Sequence, residues 1–172
     1  MNSSGPWWVT PVLALVGSIG GVMLTLLVSG KREARSRWGE QKRTIYFDFL
    51  AACVELLDVA VWPEDRSAAP TDTAPILARI RKESMHSALV AHRDVARRFA
   101  AATTAARALA TTIEEIRRDS KPGHQGAVDE RQQPRYGRAT ADFSIALNEF
   151  TKAARSDINV RTPFEPPFPA AE

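Results

Sequence analysis

The sequence predicts an all-α protein, with one N-terminal transmembrane helix followed by a cytoplasmic antiparallel bundle of three to four helices. Two observations favour this fold class. The first 30 residues carry no charged side chain, and apolar residues beyond them recur at every third or fourth position, as on one face of a helix. We divide the chain into a short extracytoplasmic tail at 1–6, a transmembrane helix at 7–30, a bundle at 31–158 and a proline-rich flexible tail at 159–172.

The transmembrane prediction depends on the length of the apolar segment and on its flanks. A helix of ~23 residues spans ~34 Å, which matches a bilayer core of ~30 Å. Cationic flanks stay in the cytoplasm, so we predict an inner (plasma) membrane protein whose N-terminus lies outside and whose bundle is cytoplasmic. The residues expected at the two membrane interfaces are Trp7, Trp8, Lys31, Arg32, Arg35 and Arg37.

A cleaved signal peptide is the alternative interpretation of this segment. In such a peptide the basic residues precede the apolar stretch, whereas here they follow it. Small residues four positions apart also occur within the segment, and this spacing lets two membrane helices approach closely. Glycine is common in membrane helices of all kinds, so the pattern indicates a candidate helix–helix contact without requiring one. Its residues are Ala14, Gly17, Ser18 and Gly21.

The first bundle helix is predicted at residues 33–62, ended by Pro63. Two neighbouring apolar rows follow it, and together they are too broad for a two-stranded coil, so the helix is expected to pack in a bundle. The first row is Trp38, Ile45, Phe49, Ala52, Leu56 and Val59, and the second is Tyr46, Leu50, Cys53 and Leu57.

After a loop at 63–73, Thr73 is predicted to cap a second helix that has Pro75 in its first turn. The apolar face of this helix and the heptad row that follows differ in phase, which predicts a break near 91–93. One continuous helix over 74–118 is the alternative. The heptad row is Val95, Phe99, Ala102, Ala106, Leu109, Ile113 and Ile116.

A loop at 119–126 precedes the last helix, which is expected to begin between Ala127 and Arg135 and to end near Ile158. Its predicted inner face is Tyr136, Thr140, Phe143, Leu147, Phe150 and Ala154. The tail behind it is rich in proline, and Phe164 and Phe168 are candidates to dock back on the bundle.

Charge and cysteine content narrow the classes of function. The chain has 23 basic and 20 acidic residues, a net charge of +3, without the strong basic stripe of a nucleic-acid binder. We therefore expect no nucleic-acid partner. The single cysteine, Cys53, excludes an internal disulfide and fits a reducing cytosol.

Catalytic and metal motifs are weak. Glu83 and His86 have the Glu-x-x-His spacing of di-iron bundles, but such a site needs two of these motifs, and His92 and His124 lack a glutamate three positions earlier. Cys53 lies on an apolar face, which is typical of a structural residue. We expect no enzymatic activity, no cofactor and no metal.

Three stretches of the sequence form a recognisable pattern behind the apolar helix: residues 35–38 (Arg-Ser-Arg-Trp), 46–50 (Tyr-Phe-Asp-Phe-Leu) and 150–157 (Phe-Thr-Lys-Ala-Ala-Arg-Ser-Asp). In these the chain resembles a loose group of uncharacterised bacterial and phage single-pass membrane proteins with a cytoplasmic helical domain. The resemblance implies the same topology, and it implies no activity and no functional residues.

The anchor and the bundle together predict a membrane-anchored interaction or scaffold protein that self-associates. Its expected partners are the lipid bilayer, a second copy of the chain and a further protein. The alternative is a phage exclusion or bacterial defence-type membrane effector that acts by oligomerising in the bilayer.

Overall fold

In a computed structural model of the protein, the structure describes residues 39–65, 67–123 and 126–168. The chain divides into two compact units, Met1–Gln41 and Lys42–Glu172. Of the first unit only residues 39–41 are described, and they are helical. The predicted transmembrane helix at 7–30 lies outside the described residues, as do all the residues predicted for the membrane interfaces and the small-residue contact: Trp7, Trp8, Ala14, Gly17, Ser18, Gly21, Lys31, Arg32, Arg35 and Arg37.

Among the described residues no helix has the length and apolar character that crossing a bilayer requires.

The described residues of the second unit form four helices joined by loops and contain no strand. Helix α1 covers residues 42–57, α2 Ala74–Val90, α3 Arg93–Asp119 and α4 Gln133–Asp157. The all-α bundle is thereby confirmed. The break between the second and third predicted helices is confirmed as well, with α2 ending at Val90 and α3 beginning at Arg93, so one continuous helix over 74–118 is wrong.

Ion pairs show that α1 runs antiparallel to α2 and to α4, and that α3 runs antiparallel to α4. At one end of the bundle Arg79 of α2 pairs with Glu55 of α1, and Arg135 of α4 pairs with Glu115 of α3. At the other end Lys42 of α1 pairs with Asp157 of α4 at 2.8 Å. The start of α1 and the end of α4 are therefore neighbours, which positions the surface described below.

Four aromatic rings form the centre of the core near the end of the bundle where α1 begins and α4 ends. The centroids of Phe49 and Phe99 lie 4.4 Å apart, as do those of Phe99 and Phe150, and Tyr46 is 5.7 Å from Phe99. Tilted and edge-to-face pairs of this kind add about 0.5–1.5 kcal/mol each beyond burial of their area. The whole heptad row predicted for α3 is buried: Val95, Phe99, Ala102, Ala106, Leu109, Ile113 and Ile116.

Helix α1 ends five residues earlier than the predicted end at residue 62. The prediction is wrong because the carbonyls of residues 60 and 61 have a partner other than the next helical turn. The guanidinium of Arg117 donates hydrogen bonds to the carbonyls of Ala60, Val61 and Thr71, at 3.0, 2.7 and 2.8 Å. The chain can therefore leave the helix at Asp58 and still bury Val59 and Val61.

Thr73 occupies the N-cap position of α2, with a proline in the first turn, as predicted, but its hydroxyl does not cap the helix. It donates instead to Glu114 of α3 at 2.7 Å. The side chain of Asp72 takes the capping role, since it accepts a hydrogen bond from the Ala74 amide at 2.9 Å.

The end of α4 turns the chain back toward the bundle. Asn159 adopts φ +58°, and the amides of Asn159 and Val160 donate to the carbonyls of Ser156 and Arg155 at 3.2 and 2.9 Å. This pattern is the Schellman motif, and asparagine tolerates its left-handed position better than most residues. The proline-rich segment consequently returns along α4.

Candidate functional site

A small polar cluster fastens the start of α1 to the end of α4. Asp157 accepts a hydrogen bond from the hydroxyl of Tyr46 at 2.7 Å and one from the ammonium of Lys42 at 2.8 Å. The side chains of Lys42 and Asp157 are only 22 and 13% exposed. The cluster lies directly above the aromatic rings of the core, because Tyr46 belongs to both.

The protonation state of this cluster follows from its contacts. Burial alone would raise the pKa of Asp157, but the hydrogen bonds from Lys42 and Tyr46 and the charge of Lys42 hold it below the ordinary value. Burial and the neighbouring carboxylate raise the pKa of Tyr46 well above its usual range. At neutral pH Asp157 is therefore a carboxylate and Tyr46 a neutral phenol.

Next to the cluster an apolar groove of about 500 Å³ separates residues 43–50 of α1 from residues 151–158 of α4. We call it the α1–α4 groove. Its walls are mainly apolar and include Tyr46, Leu50, Ala154 and Ile158, while charged side chains stand on its rim. The rim residues are Arg43, Asp48 and Arg155.

Phe47 stands at this groove with 71% of its surface exposed. It belongs to neither apolar row of α1, so it is an aromatic side chain on the face that would ordinarily be polar. Val54, two turns further along α1, is 38% exposed. An exposed aromatic side chain beside an apolar groove is typical of an interaction surface.

In the part of the chain that the structure describes, reactive side chains are not brought together. Cys53 is fully buried, and burial raises the pKa of its thiol, so it has the environment of a structural cysteine. Glu83 and His86 contact each other at 3.1 Å on the outside of α2. Within residues 39–65, 67–123 and 126–168, no group of three or more His, Cys, Asp or Glu side chains could hold a metal ion.

A second hollow, of about 720 Å³, lies between the start of α3 and the end of α4. Its charges alternate in sign, and several already form pairs: Arg97 with Asp94 at 2.8 Å, and Arg98 with Glu149 at 3.2 Å. A hollow with internally compensated charge offers little to a charged ligand.

The described residues of the tail, 159–168, pack against the outer face of α4. The side-chain amide of Asn148 donates to the carbonyl of Phe168 at 2.9 Å and accepts from its amide at 3.2 Å, and Phe168 packs against the core. Arg155 donates to the carbonyls of Thr162 and Pro163 and lies 5.8 Å from the centroid of Phe164. Arg155 is therefore already engaged at the rim of the α1–α4 groove.

Sequence reasoning singled out neither Phe47 nor the α1–α4 groove. The signal that could have found them is the off-row position of Phe47 between Arg43 and Asp48. An aromatic residue flanked by charges on the outer face of an amphipathic helix has no core position to fill.

Comparison of the chain with known protein families, with curated proteins and with solved structures finds no match.

Proposed function

We propose that the protein is a membrane-tethered helical interaction module that self-associates at the cytoplasmic face of the inner membrane. The uncharged segment at 7–30, with tryptophans before it and cations after it, supports the tether and its orientation. The antiparallel bundle supports the rest, because it presents a surface on a rigid scaffold.

The single observation that carries the interaction role is the α1–α4 groove with its exposed Phe47. Burying an aromatic side chain stabilises a contact by about 1.5–3 kcal/mol, so leaving one in water beside an apolar groove favours a partner that covers both.

Fractionation of cells that produce the full-length protein tests the tether. We expect the protein in the membrane pellet, resistant to high salt and released by detergent, with the bundle protected from protease added to intact cells. Recovery in the supernatant of a high-speed spin without detergent would refute the tether.

Crosslinking in native membranes, followed by mass spectrometry, tests the interaction role. A crosslinked dimer, or a reproducible complex with one further protein, is the expected result. A strictly monomeric species without a partner would refute this role even if the tether were established.

The second candidate function is a membrane-acting effector that perturbs the bilayer when it oligomerises. The specific observation in its favour is the pair of glycines at 17 and 21, whose spacing suits close contact between membrane helices. Gly17→Leu together with Gly21→Leu should then abolish any loss of membrane potential on overproduction. A membrane potential that still collapses with both leucines present would eliminate this candidate.

A further inference from the structure

The α1–α4 groove places a knob beside a hollow. Phe47 projects from α1 with 71% of its surface exposed, and the hollow of about 500 Å³ opens next to it. The side chains that line the hollow include the flat ring of Tyr46 and the small methyl group of Ala154. They leave room for an aromatic ring from a partner. Knob and hollow therefore belong to one continuous patch of surface.

Two opposite charges flank the knob. Arg43 precedes Phe47 by four residues, Asp48 follows it by one, and both are exposed on the rim of the same groove. Within the part of the chain that the structure describes, neither Arg43 nor Asp48 forms an ion pair. The patch thus offers one cation and one anion that still lack a counter-charge.

A patch with these four features is complementary to itself. In a two-fold contact, residue i of one copy meets residue j of the other, and j meets i. We propose that the α1–α4 groove is an isologous interface between two copies of this chain. Phe47 of each copy fills the groove of the other, and Arg43 of each copy pairs with Asp48 of the other across the two-fold axis.

Anionic lipid is the competing occupant of an apolar groove with arginines on its rim. Two observations disfavour it. Asp48 stands on the rim, where it would repel a headgroup phosphate, and Arg155 already donates to carbonyls of the tail. A second copy satisfies Arg43 and Asp48 together, whereas lipid would satisfy only the cation.

This inference rests on the proposed function for its membrane attachment and its self-association. It adds which surface the two copies use, namely the α1–α4 groove. Two copies confined to one membrane meet at a raised effective concentration, so a patch of modest size suffices to join them.

Complementation between reversed charges tests the interface. R43D alone sets acid against acid at both contacts, and D48R alone sets base against base. Because like charges across an interface oppose binding, each variant by itself should associate at least about tenfold more weakly than the wild type. A mixture of the two should associate like the wild type, since every contact then joins an acid to a base.

The measurement is energy transfer between donor- and acceptor-labelled full-length copies in vesicles of phosphatidylcholine with a minority of phosphatidylglycerol. The dyes are attached to K82C on the outside of α2, because Cys53 is fully buried and does not compete for the label. Diluting the protein with lipid gives the relative affinity of each variant.

Two controls separate the interface from general effects. R107D and E130R make the same reversals at exposed positions outside the groove, and each alone should keep wild-type energy transfer. F47S should lose it, whereas I145S, which removes a side chain 51% exposed on α4, should keep it.

Three results would overturn the inference. If the reversals and F47S all keep wild-type energy transfer, the copies meet elsewhere, and self-association as such survives. If R43D weakens association and D48R strengthens it, the groove serves an anionic lipid surface. If the wild type shows no transfer above random mixing, self-association itself fails, and the proposed function loses that part together with this interface.

Discussion

At the scale of single residues, two side chains join segments that are far apart in the sequence. Arg117 donates hydrogen bonds to three carbonyls at the two ends of the α1–α2 loop, and Asp157 accepts hydrogen bonds from Lys42 and Tyr46 at the opposite end of the bundle. Both are charged groups whose partners are few and fixed, so their removal has definite consequences.

Removing the guanidinium of Arg117 should leave the carbonyls of Ala60, Val61 and Thr71 without their partner. We expect R117A to lower the free energy of unfolding by about 2–3 kcal/mol, because unsatisfied polar groups near the core are costly. Denaturant unfolding of the full-length protein in detergent, followed by circular dichroism, gives this value. The neighbouring R118A, which truncates an exposed side chain, should change it by less than about 0.5 kcal/mol; equal losses in the two variants would contradict the role of Arg117.

Asp157 should make the stability of the bundle depend on pH in the acid range. Its pKa is lower in the folded protein than the ordinary value of ~3.9, so its contribution is fully present above that value and is lost as the pH falls through the folded pKa. Unfolding of the wild type in detergent should become easier below about pH 4. D157N should reduce stability at pH 7 by about 1–2 kcal/mol and flatten the acid dependence.

The matched control is D142N, which changes an exposed carboxylate on the same helix. This variant should retain the stability and the acid profile of the wild type. A D157N protein whose acid profile matched that of the wild type would show that Asp157 does not carry the effect.

At the scale of elements, the sequence predicted what depends on local pattern. Every residue of the heptad row on α3 is buried, and the phase change between two apolar runs placed the break before Arg93 correctly. The end of α1 and the role of Thr73 were missed, because each depends on a side chain of α3 more than 40 positions away: Arg117 in one case and Glu114 in the other. Spacing along one helix carries no information about such donors and acceptors.

The candidate site also has a part that local sequence pattern predicts and a part that depends on tertiary contacts. The apolar rows predicted which residues of α1 and α4 face the core, and Phe49 and Phe150 do so. The α1–α4 groove forms only where the start of one helix meets the end of another, so its walls come from segments more than 100 residues apart. The off-row position of Phe47 can be read from the sequence, but only the tertiary structure places a groove beside it.

The contact between the tail and α4 gives a prediction at this scale. N148A removes both hydrogen bonds to Phe168, so the amide hydrogen of Phe168 should exchange at least about tenfold faster, which corresponds to about 1.4 kcal/mol. Hydrogen exchange with mass spectrometry on the full-length protein measures this, while α3 should keep its protection. N148D offers a stricter variant, since it keeps the acceptor and loses the donor and should give an intermediate rate. Unchanged exchange in N148A would show that the tail is held by other contacts.

At the scale of the whole molecule, the proposed tether would decide on which side of the membrane the bundle lies. The positive-inside rule makes this a consequence of four cations behind the apolar segment. Under this proposal the bundle is an interaction domain on a membrane anchor, and two such molecules in one membrane would share the α1–α4 contact proposed above.

Moving the cations should invert the protein in the membrane. The variant replaces Lys31, Arg32, Arg35 and Arg37 by Gln and adds N2K, S3R and S4R. We expect its bundle to be exposed to protease added outside intact cells. The four glutamine replacements alone serve as the control and should give a mixture of orientations. A bundle that remained fully protected after the complete exchange would contradict the proposed topology.

The hydrogen bonds of Arg117 also have a consequence for the order of events during synthesis. The acceptors at Ala60 and Val61 leave the ribosome more than 50 residues before their donor does. Chains are made from the N-terminus, and early segments begin to fold first, but this connection cannot close until the last turn of α3 has emerged. In a nascent chain halted before residue 117, the α1–α2 loop should therefore lack these hydrogen bonds and remain accessible to chaperones and proteases. These hydrogen bonds should form once Arg117 has emerged from the ribosome.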